Sequence, residues 1–182
     1  MHSSSSRRPS GFTLIEMLAS ITIIVILAGL MVAGMDYVQE KQKRSTAEMQ
    51  IKLLATACEE FKLDWGFYPG RANNSPTDGR NMSNELFSDL YWDSNRDGVG
   101  PLNDSAQRIY LSELDPEHSR QGWIDGKGQA AKILDPWRNE YRYRKGSGAQ
   151  SPDFDLWSVG KDGKSNPDSL KDKANLDDIR NF

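Results

Sequence analysis

Hydrophobic and polar positions divide the chain into three zones. From Phe12 to Met35 it reads FTLIEMLASITIIVILAGLMVAGM, with Glu16 the single charged residue. A hydrocarbon core of ~30 Å needs ~20 helical residues, so this run predicts a membrane-spanning helix. Beyond Met35 the chain turns polar, yet Ala47, Ile51, Leu54, Cys58, Phe61 and Trp65 recur at helical spacing. They predict one apolar face of an amphipathic helix. Glu48, Lys52, Glu59 and Lys62 fall on the other face. No proline lies between Phe12 and Tyr68, so one helix is expected from Phe12 to about Asp64, with Gly29 and Gly34 as bend points. At ~1.5 Å per residue it would be roughly 80 Å long. Gly66 and Pro69 supply its stop.

The third zone, residues 66–182, carries strand patterns. Tyr141 to Tyr143 and Phe154 to Val159 alternate bulky and polar residues, as half-buried strands do, and Lys145-Gly146-Ser147-Gly148 between them is a turn signal. The fold class expected is α+β: the long helix laid against a small antiparallel sheet. Between them, residues 70–132 read as an insertion and a surface elaboration. Leu86 to Tyr91 suggests a short helix there, while Asn73–Pro76 and Asp125–Gly128 look like loops. Trp137, Tyr141, Tyr143 and Trp157 are read as packing residues. So is Cys58, which sits on the apolar stripe with no histidine close by in sequence to activate it.

Composition narrows the function. Among 182 residues, 23 basic and 26 acidic side chains leave a formal charge of −3, against an electrostatically driven nucleic-acid binder. One cysteine excludes an intramolecular disulfide framework, and two histidines, His2 and His118, form no HExxH motif or histidine cluster. No G-x-x-x-x-G-K-[ST] loop is present, so the chain is no ATP-driven motor. No catalytic residue is assigned and no enzyme is expected.

The N-terminus admits three readings. Before the apolar run lies MHSSSSRRPSG, whose charges, Arg7 and Arg8, place the leader in the cytoplasm and the remainder outside. A secretory signal would have a shorter apolar core and an A-x-A-like cleavage site. A twin-arginine signal, suggested by Ser6-Arg7-Arg8, would also be less apolar. The third reading is a permanent helix. An acid within such a helix is energetically unfavourable and calls for a partner.

Gly11-Phe12-Thr13-Leu14-Ile15-Glu16 resembles the prepilin signature of type IV pilins and type II secretion pseudopilins. The resemblance implies cleavage after Gly11 by the membrane prepilin peptidase and methylation of the new N-terminus, Phe12. Residues 1–11 would be a removed leader, 12–35 the transmembrane and filament-core helix, and 36–65 its amphipathic continuation. The mature 171 residues would carry a formal side-chain charge of −5. Glu16 would compensate the N-terminal amine of a neighbouring subunit during assembly.

Four further blocks narrow the family. Phe61 to Pro69 (FKLDWGFYP) resembles the YxxDxGxYP junction of major pseudopilins, and Leu134 to Tyr143 (LDPWRNEYRY) their DPWGxPYxY segment. Asp153 to Gly163 (DFDLWSVGKDG) resembles DYDLxSxGxDG, and Asp178 to Phe182 (DIRNF) the closing DIxNW. The resemblance is to the major pseudopilin of a type II secretion system, with a type IV pilin-like fold. It implies an inner-membrane, single-pass protein with a periplasmic C-terminal domain. The subunit would polymerise with itself into a helical filament and meet minor pseudopilins and the inner-membrane assembly platform, to help export folded proteins. It also implies a structural Ca²⁺ held by Asp162, Asp178 and the carbonyl of Val159, with Asp168 or Asp177 contributing. Hard oxygen ligands from a loop suit that ion. A second acidic loop, Asp93, Asn95, Asp97 and Asp104, fits D-x-[DN]-x-[DN]-G with aspartate in place of the bidentate glutamate. The rival readings are a type IV pilin or minor pilin for adhesion, motility or DNA uptake, a membrane-anchored calcium-dependent binding module, and a membrane-anchored metalloenzyme.

Overall fold

The structure is a computed structural model and describes residues 12–70, 83–101, 107–118 and 122–182. A single helix, α1 (Leu14–Trp65), passes unbroken through both glycines and serves two compact units, Met1–Lys41 and Gln42–Phe182. In the first unit Leu14, Ile15, Leu18, Ile21, Ile24, Val25, Leu27 and Leu30 are all exposed. A helix apolar on every side has no soluble partner face and belongs in lipid or among other helices. It is long and apolar enough to cross a membrane. Its hydroxyls are satisfied within the helix: Ser20 Oγ donates to Glu16 O at 2.8 Å and Thr22 Oγ1 to Leu18 O at 2.8 Å. That removes the desolvation penalty of a bare hydroxyl in hydrocarbon.

In the second unit the predicted stripe is buried at Ala47, Ile51, Leu54, Cys58 and Phe61, joined by Ala57. Trp65 departs from it, with 39% of its surface exposed. The helix ends there: Gly66, at φ +77°, donates its N–H to Lys62 O at 2.7 Å, a left-handed C-terminal cap that turns the chain away. Trp65 instead stacks on Phe61 and donates Nε1 to Tyr110 Oη at 3.0 Å.

The expected short helix is α2 (Ser83–Phe87) continued by one π-helical turn, Ser88–Trp92. The stretch over residues 70–132, expected as a surface elaboration, supplies core residues instead. Leu86, Phe87, Leu90, Leu111, Leu114, Trp123 and Ala131 all enter the core beside α1. Asn73–Pro76 lie outside the described residues. Where a loop was expected, Asp125 belongs to β1 (Ile124–Asp125), which pairs antiparallel with β2 (Lys132–Ile133). The start of this region is fastened to the rest. Buried Asp89 accepts from Gly70 N at 2.7 Å and Arg96 Nη2 at 2.6 Å. Lys145 Nζ donates to Tyr68 O and Gly70 O at 2.7 and 2.6 Å.

The main sheet runs β3-β4-β5, all antiparallel: β3 (Arg142–Lys145), β4 (Phe154–Ser158) and β5 (Ile179–Arg180). β3 and β4 lie about where the alternation put them, but β4 is buried on both faces. Its polar side is covered because Asp155 pairs with buried Arg144, Nε to Oδ2 at 2.8 Å, and also accepts from Gln150 N and Ser151 N. Tyr141 and Tyr143 are core residues, Tyr141 donating to buried Gln50 Oε1 at 2.7 Å. Trp157 is buried, and Trp137 packs partly buried against the core.

Candidate functional site: helix start and C-terminal loop

Chemistry-bearing residues gather at the two ends of the chain. At the first, Thr13 and Glu16 form a reciprocal pair. Glu16 Oε2 accepts from Thr13 N at 2.9 Å and Thr13 Oγ1 at 2.8 Å, while Glu16 N reaches Thr13 Oγ1 at 3.4 Å. This is a capping box: the side chains at the first and fourth positions satisfy backbone donors the helix leaves open. The acid that looked misplaced in an apolar run thus has local partners, and both of its bonds from Thr13 fall on one oxygen. Phe12, one residue earlier, is exposed. Gly11 lies outside the described residues.

At the other end, residues 159–178 fold into a loop between β4 and β5. Gly160 (φ +65°) sits so close to Asp177 that a Cβ there would come within 2.5 Å of its Oδ2. Asp177 Oδ2 also accepts from Asp162 N at 3.0 Å, and Asp162 Oδ1 accepts from Lys164 N at 2.8 Å. The loop therefore brings Asp162 and Asp177 together beside Val159. Asp178, the next residue, is half-buried as a whole, with its side chain 1% exposed. Its Oδ2 accepts from Ser165 Oγ at 2.7 Å and Arg180 Nη2 at 3.1 Å. Its Oδ1 is buried with no hydrogen-bond partner among the described residues. Burial pushes the Asp178 carboxyl above the usual range, opposed by Ser165 and Arg180. Asp168 lies elsewhere, paired with Arg144 Nη1 at 3.3 Å.

Among the described residues, no three side chains of the His, Cys, Asp and Glu types converge as a metal cage. A cation in this loop would draw on carbonyl oxygens as well as carboxylates. The orphaned Asp178 Oδ1 is the feature that fits one, since a buried acceptor left bare is destabilising.

The other acidic loop is turned inward on itself. Asp93 accepts from Gly98 N at 3.2 Å, Asp97 Oδ1 from Val99 N at 2.7 Å, and Asp97 Oδ2 from Asn95 Nδ2 at 3.0 Å. These bonds make a turn from Asp and Asn side chains, as such residues commonly do. Asp104 lies outside the described residues. Two features escaped the sequence reading. One is the Arg144–Asp155 pair, hidden by the strand alternation. The other is Asn175, which binds the C-terminal loop from within and whose signal, a lone asparagine in a polar stretch, is weak.

An all-apolar helix with a capped acid at its start, joined to a small antiparallel α+β body, defines a membrane-anchored subunit of the pilin-like class. Comparison with known proteins supplies the particular family. Residues 106–176 match the family described as "Type II secretion system (T2SS), protein G", and residues 6–32 the "Prokaryotic N-terminal methylation motif". The chain is 31% identical over 164 residues to type II secretion system core protein G of Pseudomonas aeruginosa, covering 87% of each chain. It is 29% identical over 175 residues to the core protein G of Aeromonas hydrophila, covering 96% of this chain and 98% of the relative. No solved structure matches it. The chain belongs to the type II secretion system protein G family, and it is a pseudopilin, a structural subunit of the type II secretion pseudopilus. That places it with secretion rather than with the adhesive-pilin alternative.

Proposed function

We propose that the chain is a prepilin whose leader is cut after Gly11 by the prepilin peptidase, and whose Phe12 amine is then methylated. The match to the methylation motif over residues 6–32 carries this reading. The mature subunit waits in the cytoplasmic membrane with Phe12 inside and residues 66–182 in the periplasm. It polymerises with itself, meets minor pseudopilins and the inner-membrane platform, and performs no catalysis. Glu16 has a double role. Its Oε2 caps its own helix through Thr13, and its carboxylate charge offsets the amine that a neighbouring subunit brings into hydrocarbon. In cells, Gly11→Val should abolish leader removal. Glu16→Leu should be processed normally and yet give no filament and no secretion. Normal filaments from the Glu16 variant would overturn the assembly role while leaving processing intact.

The C-terminal loop is proposed as a structural calcium site using Asp162, Asp178 and the Val159 carbonyl, with Asp177 the fourth candidate ligand ahead of Asp168. The buried, partnerless Asp178 Oδ1 supports it. Calorimetric titration of the chelator-treated full chain in detergent should show one saturable Ca²⁺ site that Asp162→Ala removes. Retained binding in that variant would move the site to Asp93, Asn95 and Asp97, and no binding at all would remove calcium from the account.

A further inference from the structure

We infer that Asn175 is the positioning residue of the C-terminal loop, holding it ready-made around the Asp178 carboxylate before any cation arrives; this rests on the calcium reading above. Asn175 is 8% exposed and sits inside the loop it organises. Its Nδ2 donates to Asn166 O at 2.9 Å and Ser169 O at 2.7 Å. Its Oδ1 accepts from Asn166 N at 2.6 Å and lies 3.4 Å from Ser165 Oγ. The orientation of the amide is fixed by its partners. Two carbonyls can only accept and one N–H can only donate, so the amide cannot be turned over.

Gathering carbonyl oxygens is what a cation does in a metal loop. Here a side-chain amide already does it for residues 166–169. The turn that delivers Asn175 is itself set by Asp172, which accepts from Ala174 N at 3.1 Å and from Asn166 Nδ2 at 2.8 Å. The link to the carboxylate runs through Ser165, the residue beside Asn166. Ser165 Oγ accepts from Trp157 Nε1 at 3.0 Å and donates to Asp178 Oδ2 at 2.7 Å. Oδ2 is thereby engaged by Ser165 and Arg180, and Oδ1 is left buried and bare. A ligand held by partners of this kind needs no reorganisation when the ion binds, the role that outer hydrogen bonds play around metal centres.

Such a network would hold the loop before the ion binds, so that Ca²⁺ would add stability without creating structure. The test uses the full chain in detergent micelles after chelator treatment. It reads the Ca²⁺ isotherm by calorimetry and amide exchange of residues 165–169 in the ion-free state. Wild type should bind Ca²⁺ and show protected amides there without it. Asn175→Ala should lose that protection and weaken Ca²⁺ binding about tenfold or more. Asp178→Asn should abolish binding and keep the protection. Asn175→Ser, a milder change, serves if the alanine variant does not fold. Unchanged Ca²⁺ affinity in the Asn175 variants, with wild type binding normally, overturns the inference alone. Unprotected amides in ion-free wild type overturn it as well. A wild type that binds no Ca²⁺ overturns the calcium reading and takes the cation part of the inference with it.

Discussion

At the scale of single residues, the backbone at Arg138 is the most consequential departure from the pseudopilin pattern. It stands where DPWGxPYxY has glycine, and its φ is +74°. Left-handed backbone is unfavourable by roughly 1–2 kcal/mol for an L-residue with a side chain. Part of that is offset by the bond from Arg138 Nη1 to Gly122 O at 2.9 Å. Arg138→Gly should therefore raise stability by about 1 kcal/mol or less, since glycine also loses more entropy on folding. Denaturant melts would read it, and a loss of more than that amount would show the Gly122 bond to be the stronger term. Asp135, three residues earlier, is buried and accepts from Trp137 N, Asn139 N and Ser158 Oγ. Burial nonetheless raises its carboxyl above the usual range. A raised folded value means the native state holds the proton more readily than the unfolded chain. Its stabilising contribution is complete below ~3.9 and fades as pH rises through the raised value. Asp135→Asn should flatten that part of the stability–pH curve, as melts taken across mildly acidic pH would show.

Among the elements, β4 carries most of what the alternation misjudged. Arg144 and Asp155 are side chains 3% and 0% exposed, lying under the C-terminal loop. Removing Arg144 leaves the Asp155 charge buried with only the backbone donors of Gln150 and Ser151. Arg144→Met should destabilise by about 3–5 kcal/mol. Adding Asp155→Leu should recover much of that loss, because a buried pair is often replaceable by apolar residues of similar volume. A double-mutant cycle of chemical denaturation decides it, and purely additive losses would show that the two side chains do not act as a pair. The helix stripe was legible because its period is a local property: one face from Ala47 to Phe61 can be read without knowing what covers it. Strand positions were legible for the same reason. The covering of the polar face of β4 was not, since Arg144 meets Asp155 across 11 residues of chain and Asp168 across 24.

In the whole molecule, the division into two units has a direct consequence. The unit Gln42–Phe182 holds its own core of α1, α2 and both sheets. A fragment of residues 42–182 should fold cooperatively and remain soluble, with a melting temperature close to that of the same unit in the full chain, by calorimetry. Broad, non-cooperative melting would show that residues 12–41 contribute to its fold. The sequence alone determined the anchor, the processing signature, the helix and strands β3 and β4, because each is written in neighbouring residues through hydrophobicity, period or motif. Tertiary structure decided that Leu86, Leu90, Leu114, Trp123 and Ala131 build core and that Glu16 caps its own helix start. It also decided that Asp168 pairs with Arg144 and that Asn175 hydrogen-bonds within the C-terminal loop. Each of these depends on which polar groups find partners once burial removes water, and that pairing is set by the folded geometry, where an unpaired buried group is destabilising.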